Sequence, residues 1–500
     1  MLNLPTEPLL FCKTDRNKIP KILWTLRPLI SNGSIPDRRA ALAIARVFEL
    51  IRLPIEPDFD KITDKGVILN HSYIQDFEEY CQNWFSKQKL TRHLSPQITT
   101  MVHTRKSGPN GHALVYSHYD IWALDRDPNL LRAIYHLNHM CGNSWINELL
   151  DGNRIPKPEN IQVSHSKLGF TAEPGGKTRT FAIGDYWSQL SLKGIHKMLL
   201  KILRSLKTDA TYDQNEGFRR ILKESRGKET FCFDLSGASD RIPIKLQTVM
   251  ISSLFTNLPW CQTPRQIANM WETVISKRVF QSKFGEFQWS VGQPLGLLSS
   301  WGSFALWHHI IIEYLAFKEG IKSFREYQVL GDDVVIWNTR VAHAYVDHMK
   351  YLGIPINLSK SVIGDGTFSQ IEFAKRIAIQ GKEISGIRYT LLESNKLRNI
   401  PQLVDQVVLR SLIPMVSSFR PFSDGLSIRR RELLNFILWL MLPVSPNHKK
   451  GLLTSVTDVQ YFIDNFRYLL NEERIIRLQE RVSRLVITMN ESPLPRYFKS

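Results

Sequence analysis

The sequence is poor in cysteine, and the cysteines it has form no pattern. Cys12, Cys81, Cys141, Cys232 and Cys261 include no CxxC pair. A disulfide framework and a zinc finger are thereby disfavoured, and isolated thiols fit a reducing interior. Long apolar runs are also missing. The longest, LLNFILWLML from Leu433 to Leu442, is closed by Pro443, too short for a bilayer, and reads as a core helix. The N-terminal stretch MLNLPTEPLLFCKTDRNK lacks the basic-then-apolar layout of a secretory leader, and its early prolines and acidic residues make a poor transit peptide. No internal repeat or low-complexity tract occurs. Negative charge is in deficit: 47 Asp and Glu stand against 65 Lys and Arg, a formal charge of +18. That surplus points to a polyanionic partner, nucleic acid first and an anionic membrane surface second, with a merely basic protein as the bland alternative. What remains is a chain of 500 residues, 43% hydrophobic, with the composition of an ordinary globular protein and ample material for a core.

The order of elements suggests an α+β centre with two largely helical arms. Residues 1 to about 150 lean to helix, and DRRAALAIARVFELIRL is amphipathic after the start signal Pro36-Asp37. A Pro174-Gly175-Gly176 turn then leads into a short strand, Thr178 to Ile183, and a long helix from about Tyr186. ETFCFDLSGASDRIP reads as a strand ending in a polar turn. GEFQWSVGQPLGLLSSWGSFALWHHIIIEYLAF reads as strand, Gly/Pro loop and long helix. YQVLGDDVVIW is a hairpin with Gly331-Asp332 at its tip, and EFAKRIAIQGKEISGI is a strand pair. Beyond about residue 390 the pattern is helical again.

Two adjacent carboxylates, Asp332 and Asp333, inside an apolar hairpin need a reason, because a buried charge is costly unless it is paired or binds a metal. FCFDLSGASD supplies a third, Asp234, at the end of another apolar β run. If the two strands are neighbours, Asp234 and Asp332 meet at one sheet edge, and clustered carboxylates repel unless divalent cations sit between them. Hard oxygen ligands favour magnesium or manganese. Two such ions are the machinery of in-line phosphoryl transfer, with the Leu235 carbonyl as a further candidate ligand. Taken alone, Gly-Asp-Asp is an ordinary β-turn; the ordered set around it changes its meaning. Gly292 and Gly296 bracket Pro294 in a loop that lets backbone approach a template base or nucleotide. Ser299 and Ser300 begin the following helix, where a hydroxyl caps it or touches a sugar. His308 and His309 read as helix-face residues packed under the sheet, since no Cys or carboxylate stands at zinc spacing.

Six stretches in this order carry a resemblance: EPGGKTRTFAIGDYWSQ (173–189), FDLSGASDRIP (233–243), GQPLGLLSSWGSFALWHH (292–309), LGDDVVIW (330–337), YLGIPINLSKSVIG (351–364) and FAKR (373–376). Over roughly residues 165 to 390 the chain resembles viral RNA-dependent RNA polymerases, most closely those of mitoviruses, capsidless RNA viruses of mitochondria. The chain is shorter than that resemblance implies, the difference falling N-terminally. The implied fold is a right hand, with helical fingers and thumb around a ferredoxin-like antiparallel palm sheet. Fingers with the N-terminal region take 1–230, the first catalytic palm strand 231–246, a fingers insertion 247–290, the palm 291–385 and the thumb 386–500. The implied reaction is two-metal nucleotidyl transfer from NTPs to an RNA 3′ hydroxyl, with RNA template and product as partners. It implies no membrane span and points to no required protein partner. Localisation to the host mitochondrion follows from the same resemblance, and the poor transit peptide agrees with translation inside the organelle.

The resemblance also distributes roles. Lys177 and Arg179 hold the incoming triphosphate; on spacing alone they are two cations on one face of a strand, which fits a solvated surface ribbon better. Asp240 recognises the ribose, while the local pattern offers it as an N-cap for a helix starting near Ile242. Lys360 protonates the leaving pyrophosphate, or is a solvated loop lysine. Lys375 and Arg376 grip the primer strand or nucleotide. Many related polymerases place an Asn further along the helix in WGSFALWHH, and here there is none. Near the C-terminus, Arg474, Arg477, Arg481 and Arg484 line one helical face, either against RNA phosphates or as surface bridges such as Glu473–Arg477 and Glu480–Arg484. A reverse transcriptase shares the palm, but usually carries an aromatic residue where Leu330-Gly331 stand and a bulky steric gate in place of Asp240. A non-catalytic RNA-binding protein explains the charge but not the acidic triad. An inactive endogenised remnant would keep the same motifs.

Overall fold

In the computed structural model the described residues are 26, 28–29, 32–45 and 56–386, apart from 102–105, 174–176, 358–360 and 365–369. The chain divides into two compact units, residues 48–385, and residues 1–47 together with 386–500. In the second unit the helix Ile35–Ala45 begins where the sequence signal put it. The Asp37 carboxylate accepts from the Ser34 amide at 2.9 Å, closing the first turn as in a capping box.

The elements of the larger unit that frame the site include helix α1 (His71–Lys87) and, beyond several shorter elements, a long hairpin of β1 (Ser166–Glu173) and β2 (Lys177–Gly184). Helix α2 (Tyr186–Ser205) follows, capped by Asp185, whose carboxylate accepts from the Ser188 amide at 2.7 Å. Next come β3 (Thr230–Asp234), the short α3 (Ala238–Arg241), α4 (Ile244–Thr256), α5 (Pro264–Ile275), and the hairpin β4 (Phe280–Ser282) and β5 (Gly285–Phe287). Then α6 (Ser300–Lys318), β6 (Tyr327–Leu330), β7 (Asp333–Ile336), α7 (Thr339–Tyr351) and β8 (Val362–Gly364) complete the centre. A three-stranded meander, β9 (Gln370–Phe373), β10 (Arg376–Ile379) and β11 (Lys382–Glu383), stands where a strand pair was read.

The central sheet has the order β8-β3-β7-β6 and is antiparallel throughout. Its strands and helices alternate along the chain as βαββαβ, which with this order is the ferredoxin-like arrangement. Both faces are covered, so the strands read as continuous apolar runs. Phe231 and Phe233 face the main core with Phe304, Trp307 and Tyr345, whereas Cys232 packs on the opposite face with Val335, Ile371 and Phe373. Helix α6 lies within the main core and is apolar on nearly every side, as a helix buried all round must be.

A second sheet, β2-β1-β4-β5, joins residues 166–184 to residues 280–287. One fully buried ion pair ties it to α2: Arg278 Nη2 donates to Asp185 at 2.6 Å, and the same guanidinium reaches Ser166, Ser188 and the His165 carbonyl. Removing one partner of such a pair would strand a buried charge. Among the described residues, no helix is long and apolar enough to cross a membrane.

Candidate active site

The three acidic residues come together at one end of the central sheet, with Gly331-Asp332 at the hairpin tip. Asp234 pairs in register with Asp333, not with Asp332. Residues directly opposite on an antiparallel pair bring their side chains together, and like charges there repel. Asp332 lies between the strands, on the two-residue turn that Gly331 makes possible with φ +63°. It is exposed, while Asp333 and Asp234 are partly buried. Burial first, then the charges of Asp332, Asp234 and Glu372, push the Asp333 carboxyl up to about 7, against the Ala374 amide that donates to it. The β9–β10 turn thus closes over Asp333. The short bridge between Leu235 and Ile356 runs through the Asn357 amide to the Asp234 carbonyl, 2.8 Å, and the Ser236 amide to the Pro355 carbonyl, 2.9 Å. The bridge therefore does not consume the Leu235 carbonyl. Among the described residues no three His, Cys, Asp or Glu side chains already form a closed ligand cage. The donor set itself, carboxylate and carbonyl oxygens crowded enough to repel, suits hard divalent cations.

Asp240 is not a helix cap. It lies inside α3, and α4 starts only at Ile244 after an N-cap Pro243 that offers no side-chain bond. The reason is a partner far away in sequence: the Trp289 indole N–H donates to Asp240 Oδ1 at 2.8 Å. Burial raises the Asp240 pKa, while that bond and the cations Lys61 and Arg241 pull it back. The glycine loop packs directly behind this residue. A Cβ at Gly292 would strike the backbone of Ser239 and Asp240, and one at Gly296, φ +117°, would strike the Ala182 carbonyl. These glycines serve close approach between protein backbones, where the sequence reading gave them to a template or nucleotide. Ser299 and Ser300 are also corrected. Both are buried, and no side-chain bond caps α6. Instead Ser299 Oγ accepts from the Trp271 indole, 2.8 Å, and Ser300 Oγ donates to the Pro294 carbonyl, 2.7 Å.

Of the basic candidates, Lys177 and Arg179 are both exposed on the same face of β2. Arg179 Nε meets Glu173 Oε1 at 2.7 Å, a surface pair that a phosphate can displace at little cost. Lys375 occupies the β9–β10 turn, where both Ala374, φ +53°, and Lys375, φ +60°, are left-handed. Arg376 is engaged by partners within the chain, against the expectation that it grips RNA. Its guanidinium forks onto Glu383 at 2.9 and 2.6 Å, donates to Asn215, and stacks 4.0 Å above the Phe218 ring. Lys360 and the arginines 474, 477, 481 and 484 lie outside the described residues.

Three supporting contacts escaped sequence reading. Trp289 and Ala374 act on carboxylates 49 and 41 residues away in sequence, so no local pattern announces them. His308 lies under the sheet as expected, and its Nδ1 also reaches the acidic turn, 2.7 Å from the Gly331 carbonyl. Here a signal existed, for Trp301 and His308 are seven residues apart and share a helical face.

The chain matches the family described as Mitovirus RNA-dependent RNA polymerase over residues 88–492. It is 27% identical over 391 residues to the RNA-directed RNA polymerase of Cryphonectria parasitica mitovirus 1, covering 74% of this chain and 45% of that protein. The chain thus spans about half the length of that relative. An uncharacterised mitochondrial protein of Arabidopsis thaliana is 30% identical over 257 residues, 47% of this chain and 100% of that protein. Among solved structures, the RNA-dependent RNA polymerase of a human picobirnavirus is similar at 13% identity and a TM-score of 0.48, covering 84% of this chain and 77% of that one. A family match that runs through the Lys-Arg strand, the glycine loop and the Gly-Asp-Asp hairpin makes this chain a member of the mitovirus RNA-dependent RNA polymerase family.

Proposed function

We propose that the protein synthesises RNA on an RNA template, adding nucleotides from NTPs to an RNA 3′ hydroxyl and so replicating a viral RNA genome in the host mitochondrion. The observation that carries this is the register of the central sheet, which sets Asp234 opposite Asp333 with Asp332 on the adjoining turn. Asp234, Asp332 and the Leu235 carbonyl are the groups to hold two divalent cations, magnesium or manganese, with Asp333 beside them. Such ions supply a more acidic 3′ hydroxyl and charge neutralisation at the departing pyrophosphate. Everything else falls to the chain. Lys177 and Arg179, on one exposed strand face, bind the triphosphate, Arg179 exchanging Glu173 for phosphate. Asp240, aimed by Trp289, accepts from a ribose hydroxyl. Lys360 donates a proton from Nζ to the leaving group, and Lys375 meets the RNA backbone from the turn that closes over Asp333.

In this reading residues 231–246 and 291–385 are the palm, and residues 1–230 and 247–290 are the fingers. The second sheet supports that grouping, because β1 and β2 from the first fingers piece pair with β4 and β5 from the second. Residues 386–500 are the thumb. The test is extension by the purified full chain of a short RNA template with four NTPs and magnesium or manganese. Full-length complementary RNA that depends on template, NTPs and metal supports the reading. RNA binding without any incorporation under either metal would overturn it.

A further inference from the structure

The pair His308-His309 has no part in the reaction as described, yet both rings are fully buried. They point to different sides of α6. His309 Nε2 meets Asp209 at 3.1 Å and Nδ1 meets the Tyr327 hydroxyl at 3.1 Å, bonds that serve the far strand of the sheet. His308 turns to the catalytic hairpin. Its Nδ1 lies 2.7 Å from the Gly331 carbonyl, and its Nε2 lies 2.8 Å from the Tyr345 hydroxyl on α7. The chemistry fixes the protons. A carbonyl only accepts, so Nδ1 carries the hydrogen, and Nε2 then accepts from the Tyr345 O–H.

The same helix face touches Gly331 a second time, since the Trp301 ring fills the space where a Cβ at Gly331 would stand. Tyr345 in turn stacks on Phe233, with ring centroids 5.4 Å apart and planes 20° from parallel. One chain of contacts therefore runs from the residue before Asp332, through His308 and Tyr345, to the residue before Asp234. Burial holds the His308 imidazole neutral, with its pKa lowered to about 4, so this donor pattern persists at neutral pH.

We propose that His308 is a positioning residue for the metal-binding turn: its Nδ1–H clamps the Gly331 carbonyl and so fixes where the Asp332 carboxylate stands relative to Asp234. This rests on the reading of Asp234 and Asp332 as ligands. Outer groups that orient metal-binding residues commonly contribute about tenfold or more to metal affinity.

Two substitutions separate positioning from mere packing. In His308→Asn the amide nitrogen takes the place of Nδ1 and keeps the bond to Gly331 while losing Tyr345. In His308→Gln the amide reaches only the Nε2 position and loses Gly331. Both leave a polar amide in the same buried space, so a purely structural role penalises both alike. The measurement is Mn2+ affinity of the full chain by electron paramagnetic resonance of the free ion, beside the melting temperature and RNA affinity of each variant. The expected result is a dissociation constant raised about tenfold for His308→Gln, an essentially unchanged one for His308→Asn, and wild-type RNA affinity for both. Equal Mn2+ affinity for the two variants would overturn the inference. A wild-type chain that binds no Mn2+ would instead overturn the ligand reading beneath it.

Discussion

The bond between the Trp289 indole and Asp240 separates two jobs that the carboxylate could hold, because a helix cap and a ribose acceptor respond differently to its loss. Asp240→Ala is expected to lower the preference for NTP over dNTP by about tenfold, the scale set by leaving a substrate hydroxyl without its buried partner. Trp289→Phe keeps the ring against Phe280 and removes only the N–H, so an intermediate loss of selectivity is expected. Competition between an NTP and its dNTP in single-nucleotide addition checks both; unchanged ratios would remove Asp240 from sugar recognition. Lys375 and Arg376 separate in the same way despite being neighbours. Lys375→Ala is expected to lower the slope of log RNA affinity against log salt by about 1 at unchanged stability. Arg376→Ala breaks a part-buried, forked pair with Glu383 and is expected to cost about 1–3 kcal/mol, read as a fall in melting temperature. A stable Arg376→Ala protein with a reduced salt slope would return that arginine to the RNA.

At the scale of elements, α6 carries the fully buried His308 at the sheet, and α7 carries the part-buried His348 among Tyr73, Tyr314 and Tyr351. His308 and His348 are both lowered to about 4 from an ordinary 6.5, in each case mainly by burial. Above pH 6.5 the two rings are neutral folded and unfolded, so no stability is lost. As pH falls below 6.5 the unfolded chain takes up protons that the folded one refuses, and stability declines until pH reaches about 4. For the fully buried His308 the full effect is roughly 3 kcal/mol. Melting temperatures from pH 7.5 down to pH 5 should fall, and His348→Gln should flatten the fall; a profile unaffected by that substitution would contradict the account. The elements themselves were largely legible. FCFD and VLGDDVVIW announced two apolar strands ending in acid, and strong period gave the long helices. Register was not legible, because a turn one residue different exchanges Asp332 for Asp333 opposite Asp234. Nor were Trp289 and Ala374, partners distant in sequence that depend on how the glycine loop and the β9–β10 turn fold back on the site.

At the scale of the whole molecule, the +18 charge fits the proposed role, in which the protein would hold RNA through its phosphates without reading its sequence. Its affinity for RNA should fall steeply with salt. Replacing two of Arg474, Arg477, Arg481 and Arg484 should lower the slope by about 1–2 and shorten products while leaving single-nucleotide addition intact. An unchanged slope and product length would make that helix a solvated face. Motif order and strand character were enough to expect the ferredoxin-like antiparallel sheet at the centre of the molecule. The glycines and Ser299–Ser300 misled because a loop that packs on backbone has the same composition as one that admits a ligand. The acidic turn is tested by single-nucleotide addition on a defined template–primer, with wild type, Asp234→Asn and Asp332→Asn assayed beside their RNA affinities. The expected result is metal-dependent addition by wild type, none by either variant, and RNA binding in the variants as tight as wild type or tighter. Substantial metal-dependent addition by either variant would contradict the account.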